Sequence, residues 1–122
     1  MQHDLATIKL ADTHKFDLIQ PDGKPLLLEE GKPQWLEVYG TNSAHYQAAL
    51  DSLSNADANS KEKEILLLAK CVKRWGVIWN GKKSPVSEDR AVEIFTTVPW
   101  IGRRVEAAIF AERNYFSVAS PT

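Results

Sequence analysis

The chain has 122 residues, 43% of them hydrophobic and 25% charged, which fits a single soluble domain with its own core. Its 15 basic and 16 acidic side chains give a net charge of −1, so general electrostatics would not draw it to nucleic acid or to an anionic membrane. Because no apolar run is long enough to span a bilayer and the amino end lacks a signal-peptide pattern, we expect one cytoplasmic domain over residues 1–122 and no membrane partner.

The first part of the chain carries turn and strand signals. Residues 1–15 mix apolar and polar side chains without a single period and predict a loose arm or a first edge strand. Residues 16–28 predict a hairpin, because Pro21 and Gly23 suit the positions of a tight turn. A second polar turn is expected at residues 29–33.

Residues 34–40 alternate in the manner of a strand with one buried face. Leu36 and Val38 fall on one face of this predicted strand. The other face carries Trp35, Glu37 and Tyr39. Residues 16–40 are therefore expected to form a small antiparallel sheet.

After residue 41 the spacing of apolar residues becomes helical. The side chains that follow the i, i+3, i+4, i+7 rule are Tyr46, Ala49, Leu50 and Leu53. Asn42 or Ser43 is the expected N-cap of this helix. Residues 54–60 are small and polar, and they predict a mobile linker.

The most apolar stretch, residues 60–79, predicts the helix around which the rest of the chain packs. Ser60 is its expected N-cap. The predicted inward face consists of Ile65, Leu68, Ala69, Val72, Trp75 and Gly76. Cys71 lies near the edge of that face, and we expect an unreactive, half-buried thiol there.

A tight reversal and two further helices complete the pattern. Asn80-Gly81 predicts the reversal, Ser87 is the expected N-cap of a helix over 87–97, and Thr97 that of a helix over 99–114. The predicted inward-facing residues are Ala91, Ile94, Phe95 and Val98 in the third helix, and Ile101, Val105, Ala108, Ile109 and Phe116 for the fourth.

Together these signals predict an α+β fold in one domain. A small N-terminal antiparallel sheet over 16–40 is followed by a mainly helical body of about four helices over 41–116 and by a tail over 117–122.

No group of residues forms a recognisable catalytic, cofactor or metal site. The histidines lie in different segments without a second ligand at metal-binding spacing: His3, His14 and His45. The sequence has no Gly-rich phosphate loop, and its neighbouring carboxylates occur in a turn or at helix starts, where they act as solvated capping charges. We therefore expect no enzyme activity, no cofactor and no metal.

The helices over 87–97 and 99–114 could instead form a helix-turn-helix, with Arg103 and Arg104 at the start of a recognition helix. Acidic residues crowd the same unit and would oppose contact with phosphates: Glu88, Asp89, Glu93, Glu106 and Glu112. We therefore favour a helical hairpin that packs within the protein and expect no nucleic-acid partner, and a small DNA-binding regulator is the alternative.

Several short motifs follow one another along residues 16–116. They are Val38-Tyr-Gly-Thr-Asn-Ser43, a helix bearing Tyr46, Leu68-Ala-Lys-Cys-Val-Lys-Arg-Trp75, Asn80-Gly81, Pro85-Val-Ser87-Glu88, Pro99-Trp-Ile101 and Asn114-Tyr-Phe116. Their order and spacing resemble those of the small tail assembly chaperones of long-tailed bacteriophages. The chain departs from that pattern at Asn42, where an acidic residue is common, and at the polar Lys82-Lys83 in the turn.

The resemblance implies a non-enzymatic phage or prophage protein that binds the long tape measure protein and keeps its hydrophobic helices soluble. It also implies recruitment of tail tube subunits, action in the cytoplasm of the bacterial host and absence from the finished tail. A structural tail or head-completion subunit is an alternative that the sequence does not separate from the chaperone.

The partner surface is expected on the last helix, where Phe110 is a large apolar residue among charged ones. An aromatic side chain with a charged surround is the usual composition of an interface anchor. We predict Trp100 as its neighbour and Arg103, Glu106 and Arg113 as its charged surround, and a homo-oligomer contact would use the same surface. The alternative surface consists of Trp35 and Tyr39 on the predicted sheet.

Overall fold

The computed structural model describes residue 2 and residues 4–118, and it confirms the α+β class. The strands of this part of the chain are β1 (Ile8–Leu10), β2 (Thr13–Asp17), β3 (Trp35–Tyr39), β4 (Val72–Gly76), β5 (Ile78–Trp79), β6 (Lys82–Lys83) and β7 (Phe116–Val118). The helices are α1 (Ala44–Ser54), α2 (Ser60–Lys70), α3 (Glu88–Thr97) and α4 (Pro99–Phe110). Short 3₁₀ turns occupy Leu5–Thr7 and Glu112–Asn114.

The central sheet is antiparallel in the order β2-β3-β4. Its register places Phe16 and Trp75 on either side of Leu36. Leu36, Val38 and Trp75 are buried, as the alternation of residues 34–40 predicts for one face of β3. The β1 and β7 strands form a separate antiparallel pair, which brings the two ends of the described chain together.

The two predicted turns in the first third are confirmed. Gly23 and Gly31 have φ values of +90° and +83°, a region that suits glycine because it lacks a Cβ. The predicted hairpin over 16–28 is reduced to isolated bridges, one joining Ile19 to Pro25. Proline cannot donate to a ladder, so regular pairing does not extend along this segment.

The prediction of one helix over 60–79 is wrong, because the helix ends early. The α2 helix ends at Lys70, and residues 72–76 form β4, the third strand of the central sheet. A helical spacing places Val72 and Trp75 on one face, whereas a regular strand would place them on opposite faces. The register of β4 against β3 shifts by one residue at Lys73, and this bulge turns Val72 and Trp75 toward the same side. The N-cap is also one residue earlier than predicted, because Asn59 accepts the backbone N–H of Glu62.

The first helix is confirmed in position but not in every inward residue. Ser43 is its N-cap and accepts the N–H of Tyr46 at 3.1 Å. Tyr46, Ala49 and Leu53 are buried, whereas Leu50, predicted to face inward, is 42% exposed. The linker between α1 and α2 is limited to residues 55–59.

The reversal and the last two helices follow the prediction more closely. Asn80 and Gly81 both have positive φ in the turn between β5 and β6, and Ser87 caps α3. Thr97 is not a cap: α4 starts after Val98 without a side-chain hydrogen bond. Phe116 is 53% exposed instead of inward, because α4 ends at Phe110 and the helical period does not continue to residue 116.

The core lies between the central sheet and the helices. Its fully buried side chains include Leu18, Leu36, Val38, Val105, Ile109 and Tyr115. The predicted tail at 117–122 overlaps β7, and the rest of it lies outside the described residues. No helix in the described part of the chain has the length and apolarity needed to cross a membrane.

Candidate interaction surfaces

Side chains of all four helices line a groove on the surface of the helical body. Glu64 of α2 lines three adjoining depressions of about 340, 390 and 510 Å³, and the two larger ones also share Leu67. We call this surface the helical groove and define it by Leu50, Glu64, Leu67, Leu68, Glu106 and Phe110. Residues from α1, α2 and α4 thus contribute to one surface.

The groove exposes large apolar side chains. Phe110 is 47% exposed and Leu50 is 42% exposed, and the half-buried Leu67 lies in both of the larger depressions. The Phe110 ring meets the buried Tyr46 ring edge to face at a centroid distance of 5.9 Å, which fixes one side of the aromatic and leaves the rest of it open. Charged residues of the same helices line the depressions beside these apolar groups: Asp51, Lys61, Lys63 and Arg103.

Two carboxyl groups meet in the groove. A hydrogen bond with Glu64, partial burial and the negative charge of Glu64 together raise the pKa of Glu106 above its ordinary value. A cation placed between Glu64 and Glu106 would relieve this repulsion. The groove therefore combines apolar contact area with a local preference for a positively charged group.

The residues predicted for the partner surface do not all come together. Phe110 and Glu106 share one depression of the groove, and Arg103 lines the adjoining one. Trp100 lies apart from them, in a cavity beside the central sheet, because it is at the opposite end of α4. Arg113 is exposed in the 3₁₀ turn after α4.

Sequence reasoning missed Leu50, Glu64 and Leu67 as groove residues. A signal was present in the run Ile65-Leu66-Leu67-Leu68, since four consecutive apolar residues surround a helix on all sides and one packing face cannot cover them. The positions of α1 and α4 decide which of these residues stays uncovered.

The alternative surface, the sheet face, is the outer side of the central sheet. It carries Lys15, Trp35, Glu37, Tyr39, Lys73 and Arg74. Lys15 Nζ lies 4.3 Å from the Trp35 ring centroid, and the Trp35 ring covers Gly76, where a Cβ would collide with it. The Tyr39 ring stacks on His45 at 3.9 Å. The Trp35 and Tyr39 rings, predicted as partner contacts, are thus half-buried and already pack against other residues of the same chain.

Glu37 organises the centre of the sheet face. This buried carboxylate accepts a hydrogen bond from Thr13 Oγ1 at 2.7 Å and one from Arg74 Nε at 2.5 Å. The hydrogen bond from Thr13 and then that from Arg74 lower the pKa of Glu37. The arrangement neutralises a charge inside the sheet and holds neighbouring strands together.

Chemically reactive groups are shielded. Cys71 is fully buried, whereas the sequence predicted a half-buried thiol. Burial raises the pKa of this thiol to about 11, which disfavours the reactive thiolate form. Among the described residues no three His, Cys, Asp or Glu side chains form a group that could hold a metal ion.

Several motif residues have a structural role in the core. The Tyr115 ring lies where a Cβ on Gly40 would be, at 2.7 Å, so the Gly40 step and the Asn114-Tyr115 motif meet in space. Tyr115 Oη and Asn114 Nδ2 both donate to the carbonyl oxygen of Ala108, at 2.7 and 3.1 Å. These residues close the end of α4 against the sheet, and functional contacts are left to the exposed side chains.

Comparisons with protein-family models, with curated proteins and with solved structures found no match to this chain.

Proposed function

We propose that this protein is a tail assembly chaperone of a phage or prophage, acting in the cytoplasm of the bacterial host. In this role it binds the tape measure protein, keeps the apolar helices of that protein soluble and promotes assembly of the tail tube without catalysis. It leaves before the virion is complete. The observation that carries the proposal is the helical groove, which exposes Leu50 and Phe110 beside Leu67.

A groove of this kind suits an amphipathic helix as its occupant. Helix-in-groove recognition uses a row of apolar anchors on the ligand against apolar side chains of the groove, with polar groups at the rim. Leu50, Leu67 and Phe110 supply the apolar side chains. The pair Glu64 and Glu106 favours a ligand that carries a Lys or Arg next to its anchors, because such a residue would offset the two neighbouring carboxyl groups.

The alternative of a DNA-binding regulator receives less support. Only Val98 lies between α3 and α4, whereas the turn of a helix-turn-helix has about 3–4 residues. Arg103, the predicted base-contacting residue, lines a depression together with Glu64 and Glu106, which would repel phosphates. A structural tail subunit would be retained in purified particles, whereas a chaperone is expected to be absent when those particles are examined by mass spectrometry.

The proposal is tested by co-expression with the tape measure protein encoded in the same gene cluster. Phe110→Glu places a charge on the apolar part of the groove, and we expect it to weaken binding by about tenfold or more and to leave most of the partner insoluble. Leu50→Glu is a second variant in the groove and does not touch the Phe110 to Tyr46 contact. The measurements are the soluble fraction of the partner and the dissociation constant of the purified complex.

Phe116→Glu is the matched control, because Phe116 is also an exposed phenylalanine but lies on β7, outside the groove. It should retain full rescue of the partner. Only variants whose melting temperature equals that of the parent protein are compared in this assay. Full rescue by folded Phe110→Glu and folded Leu50→Glu would overturn the groove as the binding site.

A further inference from the structure

A cavity of about 260 Å³ lies between the central sheet, the β5–β6 hairpin and the start of α4. Trp75, Trp79 and Trp100 line it, and the rest of the wall is aliphatic apart from Phe95 and Gln34. Trp75 and Phe95 belong to the buried core, whereas Trp79 and Trp100 are half-buried at the rim. This cavity is separate from the helical groove except for Phe95, which also lines one depression of the groove.

Most of the polar atoms in the wall already have partners. Gln34 Oε1 accepts the N–H of Ile78 at 3.0 Å, and its Nε2 donates to the carbonyl of Leu27 at 3.4 Å. Trp75 Nε1 donates to the carbonyl of Ser84 at 2.8 Å. Trp79 Nε1 is different, because it is buried and has no acceptor among the described residues. Buried indole N–H groups usually have a partner, so this donor requires an explanation.

The size and chemistry of the cavity restrict what it can hold. An apolar cavity of about 150 Å³ in another protein stays dry and binds benzene, so this larger one has room for an aromatic ring with a short substituent. The wall contains no charged side chain. A charged ligand would lose its hydration without gaining a counter-charge, so a neutral ligand is favoured.

We propose that this cavity binds a neutral aryl group that carries a hydrogen-bond acceptor in a short substituent of the ring, and that the acceptor takes the N–H of Trp79. The Trp79 nitrogen has no accessible surface, so the ring must shift when the ligand enters. That shift breaks no side-chain hydrogen bond, since the donor is unpaired, and Trp79 is half-buried on a strand of two residues. This inference does not depend on the proposed chaperone function.

The same chemistry can come from two sources. A free aromatic carbonyl compound supplies a ring and an acceptor in one molecule, and a phenylalanine of a partner polypeptide supplies them as its ring and its own carbonyl. Acetophenone and N-acetyl-phenylalanine amide represent the two sources. Ethylbenzene has a similar shape to acetophenone but lacks the acceptor.

The test is a titration of the full-length protein labelled with ¹⁵N at its tryptophans, in which each indole N–H gives its own NMR signal. Acetophenone should shift the signals of Trp79 and Trp100 saturably and leave that of Trp35, on the sheet face, unchanged. Trp79→Phe keeps an aromatic ring and removes the donor, so the affinity for acetophenone relative to ethylbenzene should fall about fivefold in this variant.

Val98→Phe, which adds a ring at the rim of the cavity, is the second variant and should abolish binding. It keeps the test decisive if Trp79→Phe does not fold. Absence of a saturable shift at Trp79 and Trp100 up to the solubility limit of acetophenone would overturn the proposal, as would an unchanged affinity ratio in folded Trp79→Phe. Binding of N-acetyl-phenylalanine amide as well as acetophenone identifies a polypeptide source, and binding of acetophenone alone identifies a free ligand.

Discussion

Glu37 shows how one residue acts both in the sheet and in the response to pH. The carboxylate is buried at the centre of β3 and is held by Thr13 from β2 and Arg74 from β4. Its hydrogen bonds lower its pKa, so the folded protein keeps it ionised at a pH where the unfolded chain takes up a proton. The stabilising contribution is therefore present above the ordinary pKa and is lost as the pH falls through the lowered value.

We expect Glu37→Gln to reduce the free energy of unfolding at pH 7 by about 1–2 kcal/mol, since charge-assisted hydrogen bonds to Thr13 and Arg74 are lost. As the pH falls through the lowered pKa of Glu37, the difference from the parent protein should shrink, because the parent carboxyl then becomes protonated. Urea unfolding at several pH values measures both effects. Glu30→Gln, in an exposed turn, is the control, and an equal effect of the two substitutions at pH 7 would contradict this role of Glu37.

At the scale of elements, α2 packs against the three other helices, whereas α4 makes most of the helix contact with the central sheet. Leu68 is buried in the core cluster, whereas Lys70, two residues later, forms a partly exposed ion pair with Glu88 at 2.9 Å. The strand that follows α2 then brings Trp75 into the core. The same short segment therefore stabilises the fold through both a helix and a strand.

Leu68→Ala is expected to lower the free energy of unfolding by about 2–4 kcal/mol, because it removes buried methyl groups and leaves a cavity. Lys70→Ala should change it by about 0.5 kcal/mol or less, since the ion pair is exposed to solvent. The loss of unfolding free energy for Val72→Ala should lie between those of Leu68→Ala and Lys70→Ala, because Val72 on β4 is half-buried. Chemical denaturation of the three variants gives the order, and equal losses would contradict the assigned packing of α2.

The contact between α2 and α4 includes an unfavourable interaction at neutral pH. The pKa of Glu106 is raised, so between its ordinary and its raised value the folded protein binds more protons than the unfolded chain. The free energy of unfolding must therefore fall as the pH rises through that range. A repulsive pair in an exposed groove is consistent with a site in which a ligand supplies the missing positive charge.

Glu106→Gln should raise the melting temperature at pH 7 by about 1–3 °C and reduce the dependence of that temperature on pH in the range above the ordinary pKa of a glutamate. Glu112→Gln, in the exposed 3₁₀ turn after α4, is the control for a general change in net charge. Differential scanning calorimetry across this pH range measures the effect. A fall in melting temperature for Glu106→Gln would mean that its carboxylate is stabilising.

At the scale of the whole molecule, the charge distribution argues against nucleic acid as a partner. The net charge is −1, and the cations of the sheet face are mixed with Glu37 and packed against Trp35 and Tyr39. Electrostatic attraction to phosphates requires several cations that are free to release counterions. The exposed apolar groove is therefore the stronger candidate for the main interaction surface.

We expect no binding to random duplex DNA at about 150 mM salt and no steep dependence on salt at lower concentrations. Fluorescence anisotropy with a labelled duplex measures this directly. Strong binding with a steep salt slope, lost in Arg103→Ala, would instead support the DNA-binding alternative.

The features that the sequence determined by itself are those with local causes. The glycines of the sequence predicted the turns at Gly23 and Gly31, where the structure has positive φ. Serine hydroxyls predicted the caps at Ser43 and Ser87. Turns and caps depend on residues close together in the chain, so local sequence is sufficient to predict them. Periodicity also predicted most of the inward faces of the helices and the α+β class.

Only the tertiary structure decided where α2 ends and which apolar residues stay exposed. The spacing of Val72 and Trp75 fits a helix, and the strand that forms instead needs a bulge at Lys73 and a pairing with β3 more than 30 residues away. Leu50 and Phe110 became groove residues because the placement of α1 and α4 leaves them uncovered beside α2. Such contacts depend on the free energy of packing distant elements together, which local spacing along the chain does not specify.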